Sequence, residues 1–370
     1  MIDWDQGIVM ESMLVRVGLQ VVLVRRSDGN VQPAVHYTDS LPVLAPGDCV
    51  LLNVTAVQLG LGSGGYHFVA ALLASNKRLT NSQSAGHIMK MKYTPLQRAV
   101  RSVEEPVSPY HDLFQGDVRL DGLPVLLGEL HSMLPVAICW LRYRNRGLSS
   151  RLRIAYIMTD GGALPMAWSE HVAELERLEW LETTITYGQA YGGKLEAVNK
   201  FSALLAAKHA AQADLCMVTM GPGMVGTGTK YGHAGLEIGE LVNAVHALGG
   251  RPIVIPRVSF KDRRERHRGI SHHTLTALQL AARCPAVIPF PLLTEEEEAI
   301  MEPQMFEISQ ASFHKIIRIS TVASEEVKAA LQMYPKAITS MGRELSQDFA
   351  FFQTICAAAE WAWHLHNQSR

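Results

Sequence analysis

Leu215-Cys216-Met217-Val218-Thr219-Met220-Gly221-Pro222-Gly223-Met224-Val225-Gly226-Thr227-Gly228-Thr229 joins an apolar strand-like run to a loop with four glycines. A helix-like segment, Ala234 to Leu248, follows, with Ile238, Leu241, Val242, Val245 and Leu248 spaced to share one face. Pro252 to Val258 is again apolar and short. Strand, loop, helix and strand in this order pair their strands in parallel through a right-handed crossover.

The same grammar runs outward in both directions. Upstream, strands are expected at Leu123 to Leu127, Arg153 to Thr159 and Thr183 to Tyr187, and helices at Ser132 to Arg144, Pro165 to Trp180 and Lys194 to Gln212. In the last of these Leu195, Val198, Phe201 and Leu205 fall on one helical face. Downstream come a helix at His272 to Arg283 and a strand at Ala286 to Phe290. Glu295 to Glu298 suit the first turn of a solvated helix. Strands at Lys315 to Ile319 and Ala337 to Met341 flank a helix at Glu325 to Met333, and Gln347 to His366 closes the chain as a helix. Such alternation predicts an α/β domain over residues 118–370, a doubly wound, mostly parallel, Rossmann-like sheet covered on both faces.

Residues 1–117 read differently. Leu14 to Val24, Val31 to His36, Val50 to Val57, Tyr66 to Leu72 and Ile88 to Met91 are short β-rich runs, with turn signals at Asp28-Gly29 and Pro46-Gly47-Asp48. A small barrel or sandwich is expected. Gly60 to Gly65 serves there as a tight connection or a binding loop, and residues 97–122 have the Pro, Gly and mixed-charge composition of a linker.

Composition narrows the function classes. Of 370 residues 48% are hydrophobic and 19% charged, which points to a large interior, a homo-oligomeric interface, or both. The net charge of −1 sets up no global field toward nucleic acid or an anionic membrane. Cys49, Cys139, Cys216, Cys284 and Cys356 are scattered, with no CxxC pair, which favours free thiols in a reducing cytoplasm over disulfides or a thiolate zinc site. The acidic start, Met1 to Asp5, is unlike a signal peptide, and no apolar run reaches spanning length.

In a parallel sheet the loops after the strands' C-terminal ends converge, and the chemically unusual residues lie in those loops. Asp160 and Glu129 follow apolar strands and are candidate acids, bases or metal ligands; the competing reading is a helix cap or loop brace. His131 and His272 are candidate proton carriers. No G-x-S-x-G elbow accompanies His131 and Ser132, so a Ser/His nucleophile is not inferred. Gly221, Gly223, Gly226, Thr227, Gly228 and Thr229, with Arg263 and Arg266 from the basic run after Arg257, are the candidate groups for an anion or phosphate. Alternatively that loop uses its glycines for packing and the basic run is solvated or meets another subunit.

GxGxxG at Gly221, Gly223 and Gly226 fits a dinucleotide fingerprint poorly, because the helix begins only near His233, although Arg257 keeps a 2′-phosphate reading open. A Walker A loop fails, since Thr229 stands where lysine is required. His233, Glu237 and Glu240 form a polar helical stripe, and Gly342-Arg343 offers one further basic group. A histidine metal centre would draw on His131, His233, His267 and one of the neighbours His272 and His273, which face different ways on a helix. Neither the metal nor a cofactor is specified.

Gly128-Glu129-Leu130-His131-Ser132-Met133-Leu134, Met158-Thr159-Asp160-Gly161-Gly162-Ala163-Leu164-Pro165, the glycine loop and Glu265-Arg266-His267-Arg268-Gly269-Ile270-Ser271-His272-His273-Thr274 together resemble a bacterial family, domain of unknown function 3866. The resemblance covers nearly the whole chain. It implies a bacterial cytoplasmic protein and transfers no activity, cofactor or catalytic residue. The expected function is an enzyme, a hydrolase or group transferase, acting on a phosphorylated or nucleotide-like small molecule. A non-catalytic sensor of such a molecule is the alternative, and a nucleic-acid binder is a third reading that the near-neutral charge disfavours.

Overall fold

The computed structural model describes residues 1–73, 86–310 and 313–368. The chain divides into two compact units, Met1–Ser84 with Lys92–Gln97, and Ala85–Met91 with Arg98–Arg370.

The smaller unit is a closed barrel of β1 (Trp4–Arg16), β2 (Leu19–Arg26), β3 (Val31–His36), β4 (Cys49–Asn53) and β5 (His67–Leu72), with β1 pairing both β2 and β4. Register shifts between Val9 and Glu11 and between Ser12 and Leu14 bend the long β1 enough to close the ring. Val9, Val22, Val24, Ala34, Val50 and Leu52 fill the interior. The buried Gln20 amide accepts from the Leu44 backbone N–H at 2.9 Å and donates to its carbonyl at 2.9 Å, which pins the loop before β4. After α1 (Thr55–Gln58) the Gly60 to Gly65 loop folds tightly, the Tyr66 N–H donating to the Ser63 carbonyl at 3.2 Å.

In the larger unit a hairpin, β6 (Ile88–Lys90) and β7 (Arg98–Val100), precedes an eight-stranded sheet. Its strands are β8 (Pro124–Gly128), β9 (Ile154–Thr159), β10 (Thr183–Tyr187), β11 (Leu195–Ala197), β12 (Leu215–Met220), β13 (Arg251–Ile255), β16 (Val287–Pro291) and β17 (Lys315–Ile319). A two-residue ladder, β14 (Val258–Ser259) with β15 (Gly269–Ile270), sits apart. The sheet order is β11-β10-β9-β12-β8-β13-β16-β17, and every pair is parallel.

Both faces are buried, and the period-2 alternation of the strands sorts side chains between two cores. Leu126, Tyr156, Met158 and Met217 join α2 (Met133–Arg144), α3 (Glu170–Arg177), α8 (Ser324–Gln332) and α9 (Phe349–Gln368). Val125, Leu127, Ile157, Cys216 and Val218 join α4 (Lys200–Leu205), α5 (Glu237–Ala247), α6 (His272–Thr276) and α7 (Glu295–Gln310). This is the barrel plus doubly wound, Rossmann-like sheet that the strand and helix grammar predicts.

Four local expectations are corrected. Lys194 to Gln212 is not one helix. Leu195–Ala197 is drawn onto the edge of β10, and α4 starts only after Asn199, whose side chain accepts from the N–H groups of Phe201 at 2.9 Å and Ser202 at 3.1 Å. Pro165 to Trp180 breaks at Ser169, which caps α3 by accepting from the Val172 N–H at 3.0 Å. Ala337 to Met341 forms no strand; Ser340 and Arg343 bridge across a tight turn with φ of 50° at Met341 and 74° at Gly342. The stretch expected as a linker also packs within the larger unit. The Val103 N–H donates to the Glu196 carbonyl at 2.8 Å, the Leu120 N–H to the Leu248 carbonyl at 2.8 Å and the Gly122 N–H to the Gly249 carbonyl at 2.9 Å.

The sheet order places the site. From β8 the chain winds outward through β9 and β10 to β11, returns to insert β12 beside β8, and continues on the other side through β13. The loops after β12, β8 and β13 therefore meet where the winding reverses, which is the crevice that ligands use in open α/β sheets.

Candidate functional site at the winding reversal

Glu129 is the first residue beyond β8 and is 2% exposed. Arg257, two residues beyond β13 and equally buried, places Nη1 3.4 Å from Glu129 Oε1, and the Thr274 hydroxyl donates to Oε2 at 3.2 Å. His273 Nδ1 lies 3.9 Å from the same carboxylate. Burial pushes the Glu129 carboxyl up, against the downward pull of Arg257 and Thr274.

His273 is one of four clustered imidazoles. Its ring stacks on His233 at 3.9 Å between centroids, with His272 4.3 Å and His267 4.9 Å away. His233 ends the glycine loop, while His272 and His273 open α6 behind the Ser271 cap. Ser271 also engages His267 Nδ1 at 2.8 Å. Glycines make room for the stack: a Cβ on Gly235 would come within 3.1 Å of His233 Nδ1. Desolvation lowers the basicity of all four rings, His267 down to about 3, with the neighbouring Arg257 adding to the effect there. His233, His272 and His273 can each offer a ligand atom, all within 4.8 Å of one another. The expectation that only one of His272 and His273 could serve is thus corrected. In the first turn of a helix, neighbouring long side chains can fold back to the same point from either side of the cap.

The glycine loop is a self-paired flap rather than an open cradle. Thr227 N–H donates to the Gly232 carbonyl at 2.8 Å, Ala234 N–H to Val225 at 2.9 Å, and Gly226 bridges His233. Thr227 and Thr229 join their hydroxyls at 2.9 Å, and Thr229 Oγ1 accepts from the Gly232 N–H at 3.1 Å. At its base Gly221 is glycine because a Cβ there would lie 2.3 Å from the Ala163 carbonyl oxygen, and the Ala163 N–H donates to the Pro222 carbonyl at 3.0 Å. Gly223 is exposed. Gly228, with φ of 81°, carries the Arg266 guanidinium 3.4 Å from where its Cβ would stand. A single turn, Ala234–Leu236, intervenes before α5, so the flap does not run straight into a helix N-terminus.

Arg257 links the histidines to the basic loop, its Nη2 lying 3.6 Å from Asp262. Asp262 also binds Arg264 at 2.8 Å and Arg343 at 3.5 Å, and the Arg264 hydrogen bonds hold its carboxyl far below the usual carboxylate range. Arg343 continues to Asp348 at 2.8 Å, which accepts the Ser259 hydroxyl at 2.6 Å. Arg263 is exposed and lines, with Lys261, Arg264 and Arg343, an open cavity of about 510 Å³.

Two other candidates stand in other company. His131 is buried against the α2 and α3 side, with Nε2 2.6 Å from the Ser169 hydroxyl and Nδ1 3.2 Å from the Tyr156 hydroxyl. Burial, with the nearby His171 charge adding to it, lowers its pKa to about 4. Asp160 braces two loops, accepting from the Gln189 N–H at 3.0 Å while Gly188 leaves it room. The expected stripe of His233, Glu237 and Glu240 separates: Glu237 accepts the hydroxyls of Thr159 at 2.7 Å and Tyr187 at 2.9 Å, and Glu240 pairs with Lys200 at 2.6 Å. Asp262, Thr274 and Tyr187 escape sequence reasoning; an acid amid the basic residues 261–266 is the one local signal among them.

Comparison with known proteins bears on the whole chain. The family described as "Protein of unknown function (DUF3866)" matches residues 33–359. The chain belongs to this family. No curated protein matches it. Among the described residues, no helix of this DUF3866 member is long and apolar enough to cross a membrane.

Proposed function

We propose that this DUF3866 protein is an enzyme, a hydrolase or group transferase, acting on a phosphorylated or nucleotide-like small molecule at the C-terminal edge of its parallel sheet. One observation carries the reading. Arg257, 3% exposed, leaves Nη2 without a hydrogen bond between two carboxylates it touches only loosely, in the crevice where the winding reverses. A desolvated guanidinium with a free donor is completed by an anion. Arg266 beside Gly228 and Arg263 along the cavity that Asp262 also lines add cationic groups from the same basic loop. Glu129 is the group placed to take or give a proton at the reacting centre. Five free thiols, three of them buried, support a reducing cytoplasm.

Thermal shift of the full chain against inorganic phosphate, nucleotides and sugar phosphates tests the reading, because a ligand selective for the native state raises the melting temperature. A selective rise, weakened in Arg266→Ala and Arg263→Ala, is expected. Glu129→Gln should retain the rise and lose turnover of the compound that produces it. Flat curves from folded protein would overturn the proposal. Binding with no turnover by the native chain would make the protein a sensor.

A further inference from the structure

We propose that His233, His272 and His273 form a binding site for a divalent transition-metal ion of the zinc class, with a coordination position left open. The unbonded nitrogens argue first. His233 Nδ1 and Nε2, His272 Nε2 and His273 Nδ1 are all buried without a hydrogen-bond partner, in one cluster. Interiors seldom leave such atoms unsatisfied, and three imidazoles gathered within reach of one another are a ligand set awaiting its ion.

The chemistry of the donors selects the metal. Neutral imidazoles suit zinc, cobalt, nickel and copper, whereas magnesium and calcium take oxygen. Tetrahedral zinc keeps its nitrogens roughly 3.3 Å apart, so ligand atoms lying within 4.8 Å are near enough to close on one ion once the stacked rings of His233 and His273 swing out of their parallel arrangement. Three protein ligands are the number found in catalytic rather than structural zinc sites. His267 stands outside the set, since among the described residues it is His233, His272 and His273 that bring ligand atoms within 4.8 Å of one another. Glu129, 3.9 Å from His273 Nδ1, has the place of the outer carboxylate that orients a ligating histidine and balances the ion's charge, which assigns Nε2 of that ring to the ion.

The site goes beyond the proposed activity and does not depend on it. Full-length chain, stripped with a chelator and dialysed, is titrated with zinc and separately with cobalt, and metal content is measured by atomic emission. One ion per chain is expected, with the visible ligand-field bands of tetrahedral or five-coordinate cobalt. His233→Ala/His272→Ala should reduce the content to background, His267→Ala should keep it, and Glu129→Gln should weaken affinity by about ten-fold. Should the double variant lose its circular dichroism, His272→Gln alone and the native chain's cobalt spectrum decide. No uptake of either metal by the native chain, a purely octahedral cobalt spectrum, or full uptake by a folded double variant would overturn the site. A metal-loaded protein without action on phosphorylated compounds would leave the site standing and remove only the activity.

Discussion

Glu129 and Glu237 are both carboxylates drawn from water at the same sheet edge, and burial pushes both upward. Their surroundings differ. Glu237 receives two hydroxyls at 2.7 and 2.9 Å, and its neighbour Asp160 is occupied by a backbone N–H. Glu129 accepts one hydroxyl, from Thr274 at 3.2 Å, and otherwise meets a guanidinium at 3.4 Å with an unbonded nitrogen and an imidazole at 3.9 Å, with further unbonded rings beyond. Burial and raised pKa occur in both places. Incomplete hydrogen bonding is what separates an edge built to hold itself together from one built to hold something else.

The contrast can be broken by substitution. Glu129→Ala leaves Arg257 buried without its strongest partner and should cost about 3–5 kcal/mol, read by urea denaturation at neutral pH. A loss below about 1 kcal/mol would mean that water already reaches Arg257, and the contrast would fail.

His131 sharpens it from the satisfied side. Its folded pKa of about 4 lies below the 6.5 of a free histidine, so the unfolded chain binds the proton first as pH falls. Stability from this group is therefore full above pH 6.5, declines between 6.5 and 4, and is lost below. The difference in denaturation midpoints between native protein and His131→Gln should track that window, by about 3 kcal/mol in all. Parallel pH profiles for the two would show that His131 is solvated.

The smallest effect belongs to Tyr187→Phe, which removes one of the two hydroxyls from Glu237 and should cost about 1–2 kcal/mol with no change in metal uptake. Altered metal content in that variant would join the two halves of the edge into one site.

Much of this architecture is readable from residues alone. Thr183 to Tyr187 is a strand by its β-branched content, and the buried alternation on β8, β9 and β12 follows from a parallel sheet covered twice. From parallel strands it follows that Glu129, Asp160, the glycine loop and the basic run emerge at one edge. Pairings across long sequence separation are not readable. Leu195 fits a helical face with Phe201, and only the free edge of β10 recruits it as a strand. Equally, nothing local says that His233 stacks on His273, or that Asp160 spends its carboxylate on Gln189. The flap's glycines announce an unusual backbone without revealing that its amides are paired internally.

That flap is anchored at its root by the Ala163–Pro222 hydrogen bond and ends in His233, which Gly226 pairs across the strands. Its exposed tip is tied back to that histidine's backbone by short steps, Thr229 accepting from the Gly232 N–H at 3.1 Å and the Gly232 carbonyl accepting from Thr227 at 2.8 Å. A load on the tip is therefore borne by the same few hydrogen bonds that seat His233 beside His273.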